Sequence, residues 1–143
     1  MTALAGMKGN AGNGRSVFLR SCVACHKVGK GDGPDLGPDL DKVATRHNRF
    51  KLVESIIDPN AEVEAKYQST QILDTKGRTT TGLLISETKE RVVLFDGQKQ
   101  VTIKVADIET RAVLKQSSMP EGMAGAMAPS EFLDVIEYLS TLK

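Results

Sequence analysis

The feature that most constrains this chain is the pentapeptide Cys22-Val23-Ala24-Cys25-His26. Two thiols separated by two residues, with a histidine directly after the second, form the C-x-x-C-H pattern of covalent c-type haem attachment. The short spacing lets both thiols add to the vinyl groups of one porphyrin, and it leaves the histidine where its imidazole can bind the iron. The pattern therefore predicts one haem c, held through Cys22 and Cys25, with His26 as the proximal ligand.

Other chemistries of a cysteine pair fit the sequence less well. A thioredoxin-like redox pair requires a βαβ context, which the surrounding residues lack. A structural zinc site requires a second ligand pair at finger-like spacing, and the other histidine, His47, stands alone. A structural disulfide across two intervening residues would constrain little of the unfolded chain. A zinc site and a redox disulfide stay as the weaker alternatives.

The composition is typical of a soluble globular protein. Hydrophobic residues make up 40% and charged residues 26% of the chain, and the net charge of +1 indicates no nucleic-acid partner. No apolar run is long enough to span a bilayer. Aromatic residues amount to only 4%, so a buried haem would supply much of the apolar bulk of a core.

The location of the protein is predicted from the cofactor more than from the N-terminus. Residues 1–7 lack a complete secretory signal, although Ala3-Leu4-Ala5 has the small-x-small form of a cleavage site. Because thioether attachment of haem in bacteria takes place outside the cytoplasm, we expect a periplasmic or otherwise exported protein.

The hydrophobic periodicity divides the chain into three regions: 1–65, 66–114 and 115–143. The first and last read as helices and loops, whereas the middle region alternates with the period of strands. Five short strands are predicted, at 66–74, 78–86, 91–95, 100–105 and 108–113. Tight turns are expected at Lys76-Gly77 and Asp96-Gly97. The predicted fold is α+β, mainly α, with an inserted small antiparallel sheet or barrel of about five strands.

Three helices carry the predicted α part. Asn13 is expected to cap the helix that leads to Cys22, a second helix begins at about Asn48 and ends before Pro59, and Ser130 is expected to cap the last helix. The first helix carries Val17, Phe18 and Leu19. The apolar stripes of the other two contain Phe50, Val53, Ile56 and Ile57, and Phe132, Val135, Ile136 and Leu139. The glycine- and proline-rich stretch 29–39 is expected to be irregular and to pass along an edge of the haem.

The second axial ligand is predicted to be Met119. Methionine favours ferrous iron and raises the reduction potential. Pro120 restricts the backbone of Met119, so the thioether is presented by a stiff loop. The alternatives are Met123, Met127, Met7, His47 or an open sixth position.

Further side chains are candidates for the surroundings of the haem. A ligating histidine normally donates its other ring N–H to a fixed acceptor, and the carbonyl of Pro38 is the candidate. Arg46 and Arg49 follow that loop and could pair with the propionates through their planar guanidinium groups. A solvated arginine without such a role is an equal alternative at both positions.

The chain resembles the class I cytochrome c family. Its C-x-x-C-H motif, Gly37-Pro38-Asp39-Leu40 and Ser118-Met119-Pro120 stand in the order of that family, and an amphipathic helix follows. The resemblance implies that Pro38 and Leu40 belong to the haem-binding loop and that Met119 is the axial ligand. It also implies that the first and last helices pack together, with Phe18 near Tyr138.

In more detail, the chain resembles the haem-binding domain of the Planctomycete/Verrucomicrobia type. The similar segments are Leu52-Val53-Glu54-Ser55-Ile56-Ile57-Asp58-Pro59, Thr81-Gly82-Leu83-Leu84-Ile85-Ser86 and Met119-Pro120-Glu121-Gly122-Met123. Small members of the wider family place the methionine much nearer to the haem motif, and the β segment accounts for the excess. Many relatives carry this domain beside dehydrogenase-like domains, which implies an electron-accepting role.

Three functions are compatible with these features. The favoured one is electron transfer by a monohaem cytochrome that is not an enzyme, has no catalytic residue and serves a redox partner protein, such as a dehydrogenase domain. The second is a haem enzyme or a gas or redox sensor with an open or labile sixth position. The third is a docking module that uses the β insert.

Overall fold

The computed structural model describes residues 1–29 and 36–143, and these form two compact units. The helical unit consists of Met1–Ala61 and Glu121–Lys143, and the β unit consists of Glu62–Pro120. The mixed α+β class is thereby confirmed. The three predicted domain ranges stay predictions, and the middle of the predicted irregular stretch 29–39 lies outside the described residues.

In the part of the helical unit that the structure describes there are six helices, three of which are only one turn or slightly longer. They are α1 (Thr2–Gly6), α2 (Ala11–Ser21), α3 (Val43–Arg46), α4 (Arg49–Ile57), α5 (Met123–Ala126) and α6 (Pro129–Ser140). Among the described residues, no helix is long and apolar enough to cross a membrane.

The start of α2 differs from the prediction. Its N-cap is Asn10, whose side chain accepts a hydrogen bond of 2.9 Å from the backbone N–H of Asn13. Asn13 therefore lies inside the first turn and was wrongly predicted as the cap. A second hydrogen bond holds Asn10 at the start of the helix: its backbone N–H donates to the carboxylate of Asp134 at 2.7 Å.

The start of α4 confirms the prediction, and the start of α6 does not. Asn48 caps α4 by accepting from the N–H of Lys51 at 2.9 Å. The N-cap of α6 is Ala128, not Ser130, because Pro129 occupies the first helical position, where its missing N–H costs nothing. The carboxylate of Glu131 accepts instead from the N–H of Ala128 at 3.0 Å.

Helices α2 and α6 cross in close contact within the helical unit. A Cβ atom on Gly14 would lie 1.8 Å from the carbonyl oxygen of Asp134, so a glycine is required at the crossing. The rings of Phe18 and Tyr138 lie 5.5 Å apart with a tilt of 55°, which confirms the predicted pair. The buried core of the unit consists of Val17, Phe18, Val43, Leu52, Val53, Ile56, Phe132, Val135, Ile136 and Leu139.

The predicted apolar stripe of α4 is only partly buried. Val53 and Ile56 are enclosed, as expected, and Leu52 joins them. Phe50, however, is 39% exposed. It was wrongly assigned to the buried face, because the buried side of this short helix is centred on Val53.

The β unit is an antiparallel five-stranded sheet with the order β4-β3-β2-β1-β5. Its strands are β1 (Gln68–Asp74), β2 (Thr79–Glu87), β3 (Arg91–Phe95), β4 (Gln100–Lys104) and β5 (Ile108–Ser117). All five were predicted within a few residues at each end, β5 being four residues longer. Short 3₁₀ turns at Ala65–Tyr67 and Val105–Asp107 precede β1 and β5.

Two aspartates close the predicted tight turns of the sheet. The carboxylate of Asp74 accepts from the backbone N–H groups of Lys76 and Arg78, both at 2.9 Å. Asp96 does the same for Gln98 and Lys99, and a glycine with positive φ completes each turn. Behind the turns, the sheet core contains Ile72, Val92, Leu94 and Ile103, with Val101 and Ile108 against it.

Candidate haem attachment site

The cysteine motif continues the last turn of α2. The backbone N–H of Cys22 still donates to the carbonyl of Phe18 at 2.8 Å, as in a helix. The N–H groups of Cys25 and His26 then both donate to the carbonyl of Cys22, at 3.2 and 3.0 Å. This tight turn holds both thiols and the imidazole in one local frame, so their relative positions follow directly from the sequence spacing.

The imidazole of His26 is fixed by one hydrogen bond. Its Nδ1 lies 2.8 Å from the carbonyl oxygen of Pro38. Because a carbonyl only accepts, Nδ1 carries the proton and donates, and Nε2 of the neutral ring keeps its lone pair. Burial lowers the pKa of His26, and the bond to Pro38 opposes this shift. The ring is thus a neutral nitrogen ligand, as iron binding requires.

A glycine lies directly against this ring. A Cβ atom on Gly37 would lie 2.7 Å from Cε1 and 2.9 Å from Nδ1 of His26. Real Cβ atoms do not approach so closely, so any larger residue would displace either the ring or the loop. Gly37 was noted in the sequence only as part of a motif, and its role in seating the imidazole emerges from the structure.

The loop that carries Pro38 is held at its base by three hydrogen bonds. The backbone N–H of Leu40 donates to the carbonyl of Lys27 at 2.9 Å. The carboxylate of Asp39 accepts from the N–H groups of Gly29 and Asp41, at 3.0 and 2.9 Å. These two backbone donors are also the main reason why the pKa of Asp39 is lowered.

The thiols of the motif are protonated at neutral pH. Burial, followed by the proximity of Cys25, raises the pKa of Cys22 to about 11. Burial also raises the pKa of Cys25. Thiolates are the form that binds metal ions and attacks disulfides, so this environment favours neither chemistry. Within residues 1–29 and 36–143, no group of three or more His, Cys, Asp or Glu side chains is placed to hold a metal ion.

A comparison with protein-family models agrees with this geometry. The model of cytochrome c matches residues 11–92, which is more than half of the chain. The chain belongs to the cytochrome c family. Members of this family bind haem c covalently and transfer electrons to or from a redox partner, generally as carriers and not as enzymes. No curated protein matches the chain.

The residues at the motif fit this cytochrome cofactor. Two neutral thiols lie on one turn. The neutral imidazole beside them donates its Nδ1 proton to the carbonyl of Pro38. Because Gly37 has no side chain, the imidazole of His26 lies against it without a clash. These groups are therefore compatible with a covalently attached haem c.

The two candidate arginines bind protein acceptors. Arg46 donates to the carbonyls of Asp41 and Asp39, at 2.9 and 2.8 Å. Arg49 connects α4 to α1 and α6, through Ala5, Met7, Glu137 and Ser140. The structure thus gives both guanidinium groups a structural role that the sequence did not suggest, and their contact with propionates stays a prediction.

Met119 belongs to the β unit, at the end of the segment that follows β5. It is half-buried, and its backbone N–H donates to the hydroxyl of Ser117 at 3.0 Å. The residue lies outside the matched range 11–92. Its role as an iron ligand is therefore a proposal, taken up below.

Proposed function

We propose that this protein is a monohaem cytochrome c that transfers electrons through an iron bound by His26 and Met119. The observation that carries the proposal is the 2.8 Å bond between Nδ1 of His26 and the carbonyl of Pro38. It leaves Nε2 as the one free donor nitrogen of a ring beside two thiols on the same turn. When bound, the haem supplies a one-electron exchange between ferrous and ferric iron.

The protein's own residues would do three things for this exchange. Cys22 and Cys25 anchor the porphyrin covalently, so the cofactor is not lost in either redox state. His26 binds the iron through Nε2, and Pro38 keeps the ring in one tautomer and orientation. Gly37 leaves room for the imidazole to stand where the carbonyl of Pro38 can reach it.

Met119 is proposed as the sixth ligand because of its local sequence and its fixed backbone. Pro120 restricts its conformation, and the hydroxyl of Ser117 binds its backbone N–H. A stiff loop presents a weak thioether ligand at a smaller loss of conformational entropy. The alternatives are Met123 at the start of α5, Met127 directly after it, Met7, His47, or an open sixth position.

The proposal extends to the β unit, the location and the partner. We propose that the five strands of the β unit are an insert of the Planctomycete/Verrucomicrobia type, because they stand in the chain between the haem motif and Met119. Covalent haem attachment supports a periplasmic or otherwise exported location. The partner is then an exported redox protein, with a dehydrogenase domain as the expected donor.

The decisive experiment is an absorption spectrum of the oxidised, haem-loaded protein. The weak red sulfur-to-iron band should be present in the wild type, absent in Met119→Ala and retained in the matched control Met123→Ala. Loss of the band in Met123→Ala alone would transfer the ligand role to Met123. If the wild type lacks the band and its ferrous form binds carbon monoxide readily, the enzyme or sensor alternative replaces electron transfer.

One observation supports a second function, docking of an acidic partner on the β unit. An open groove of about 700 Å³ is lined by Lys89, Glu90, Arg91, Thr102, Lys104, Val105 and Ala106. Arg91 and Lys104 are directly opposite in the β3–β4 register, and like charges so placed destabilise a sheet. Among the described residues, none of the three basic side chains forms an ion pair. We propose that an acidic protein surface is their partner.

This docking function is testable with an acidic peptide as the probe. Binding of a labelled poly-aspartate peptide should weaken with rising salt, as expected for exposed charges. The triple variant Lys89→Ala/Arg91→Ala/Lys104→Ala should lose most of this affinity. The variant Lys76→Ala/Lys99→Ala/Lys115→Ala removes the same charge elsewhere on the β unit and should retain it. If both triple variants lost the same affinity for the peptide, the binding would be a non-specific attraction between opposite charges.

A further inference from the structure

We infer that Asp39 is a positioning residue for the iron ligand: its carboxylate holds the loop in which Pro38 accepts the hydrogen bond from His26. The inference deepens the proposed function, since it depends on the role of His26 as an iron ligand. Asp39 does not contact the iron ligand itself. It acts through the backbone on either side of the loop.

The geometry of the carboxylate carries the inference. A single oxygen, Oδ1 of Asp39, accepts from the N–H of Gly29 at 3.0 Å and from the N–H of Asp41 at 2.9 Å. Gly29 is three residues after His26, and Asp39 directly follows Pro38. Oδ1 of Asp39 therefore connects the backbone that follows His26 to the backbone next to Pro38, whose carbonyl accepts the hydrogen bond from His26.

Neighbouring bonds fix Asp39 from the other side. The N–H of Leu40 donates to the carbonyl of Lys27, which adds a second cross-connection beside the first. Arg46 donates to the carbonyl of Asp39 at 2.8 Å and to that of Asp41 at 2.9 Å. The residue after Pro38 is thus bound through its side chain and through its backbone, and Pro38 has no N–H of its own with which to fix its position.

The expected consequence is electronic as well as structural. A carbonyl that accepts from Nδ1 makes the imidazole a stronger electron donor. Stronger donation stabilises ferric iron and lowers the reduction potential. If Asp39 no longer fixes the loop, the carbonyl of Pro38 moves away from Nδ1, so the ligand donates less and the potential rises.

Two variants separate this effect from the loss of charge. Asp39→Ala and Asp39→Asn both remove one negative charge, but only asparagine keeps an oxygen at the position of Oδ1. Asp41→Ala removes a carboxylate two residues away whose oxygens take no part in these bonds. The readouts are the midpoint potential of the haem-loaded protein and the solvent exchange of the His26 Nδ1 proton, measured by NMR.

We expect the potential of Asp39→Ala to lie above those of Asp39→Asn and Asp41→Ala, which should agree with each other. The Nδ1 proton should exchange faster in Asp39→Ala alone. If Asp39→Ala does not accumulate as folded holoprotein, Asp39→Glu takes its place, because it keeps the charge and displaces the oxygen by one methylene group. Identical potentials and exchange rates across these variants would overturn the inference.

The same series distinguishes this inference from the proposed function. His26→Ala should abolish the low-spin spectrum of the wild type. If that spectrum survives His26→Ala, the ligand assignment fails, whatever the Asp39 variants show. If it is abolished while the alanine and asparagine variants of Asp39 behave alike, the ligand assignment stands and only the positioning role is lost.

Discussion

In the β unit, the side chains of Ile72, Val92 and Leu94 have no exposed surface, and the unit's own strands enclose them. In the helical unit, Leu19 is 48% exposed just before the cysteine motif, and Val23 within the motif is 40% exposed. The β unit therefore completes its core with its own residues. The helical unit has a core along α2 and α6, but it keeps apolar surface beside and within the cysteine motif.

This difference shows where each unit derives its stability. Burial of apolar area and aspartate-capped turns stabilise the sheet without help from a ligand. The helices gain additional stability when a ligand binds only their folded form. The two units should therefore respond differently to loss of the cofactor, and variants in one unit should leave the other largely unchanged.

Removal of the thiols should produce the largest contrast between the units. In Cys22→Ser/Cys25→Ser, the covalent anchor is lost, so amide hydrogen exchange should become much faster in α2, α4 and α6. The amides of β1 to β4 should keep their protection. The haem-free wild type is the control and should match the double variant. Equal deprotection of both units would show that the sheet also depends on the cofactor.

Substitution of Gly14 should destabilise the helical unit, and substitution of Gly82 should destabilise the β unit. A Cβ atom on Gly14 would meet the carbonyl oxygen of Asp134 at 1.8 Å, and one on Gly82 would meet that of Phe95 at 2.2 Å. Because both obstacles are backbone atoms, we expect each alanine variant to lose about 3 kcal/mol of unfolding free energy in its own unit. Hydrogen exchange, assigned by residue, measures the two units separately.

Gly125→Ala is the matched control for these substitutions. A Cβ atom there meets nothing within 4 Å, and the residue lies in the helix α5. Alanine should be neutral or slightly stabilising at this position. If Gly14→Ala were tolerated as well as Gly125→Ala, the close contact of α2 with α6 would not exist in solution.

The same comparison explains what the sequence could predict. All five strands and both tight turns follow from local signals, namely alternation of apolar residues and Lys76-Gly77 or Asp96-Gly97. The pentapeptide at Cys22 is local too, so membership of the cytochrome c family was predictable from it. These features depend on residues that are near one another in the chain.

The errors and omissions concern contacts between distant residues. The cap of α2 is decided in part by Asp134, which is 124 residues away from Asn10. Arg49 binds Ala5 and Glu137, which are 44 and 88 residues away. No local pattern indicates such partners, and therefore the sequence gave no sign of these contacts of Arg49 and indicated the wrong asparagine for the cap.

Acid should affect the turns of the β unit through Asp74. Two backbone N–H groups and the guanidinium of Arg78 lower the pKa of Asp74 below its ordinary value of 3.8. A carboxyl group with a lowered pKa in the folded state stabilises the fold above its unfolded pKa, and this stabilisation is lost as the pH falls through the folded value. At pH 7, Asp74→Ala should therefore lower the Tm of the β unit by several degrees.

The difference in Tm between wild type and Asp74→Ala should shrink as the pH falls below about 3.8. Asp74→Asn is the control, because it keeps an oxygen acceptor for the turn but loses the charge. At neutral pH, the Tm of Asp74→Asn should lie between those of the wild type and Asp74→Ala. A difference that stays constant down to pH 2 would show that the ionised carboxylate has no part in the turn.

The smallest expected effect compares two asparagines at the start of α2. Asn10 accepts from the N–H of Asn13, whereas Asn13 contributes only that backbone donor. Asn10→Ala should cost the helical unit about 1 kcal/mol of unfolding free energy, as is usual for loss of an N-cap. Asn13→Ala keeps the donor and places a better helix former in the first turn, so it should be neutral or stabilising. Denaturant unfolding of the two haem-loaded variants measures the difference, and the reverse order would restore Asn13 as the cap.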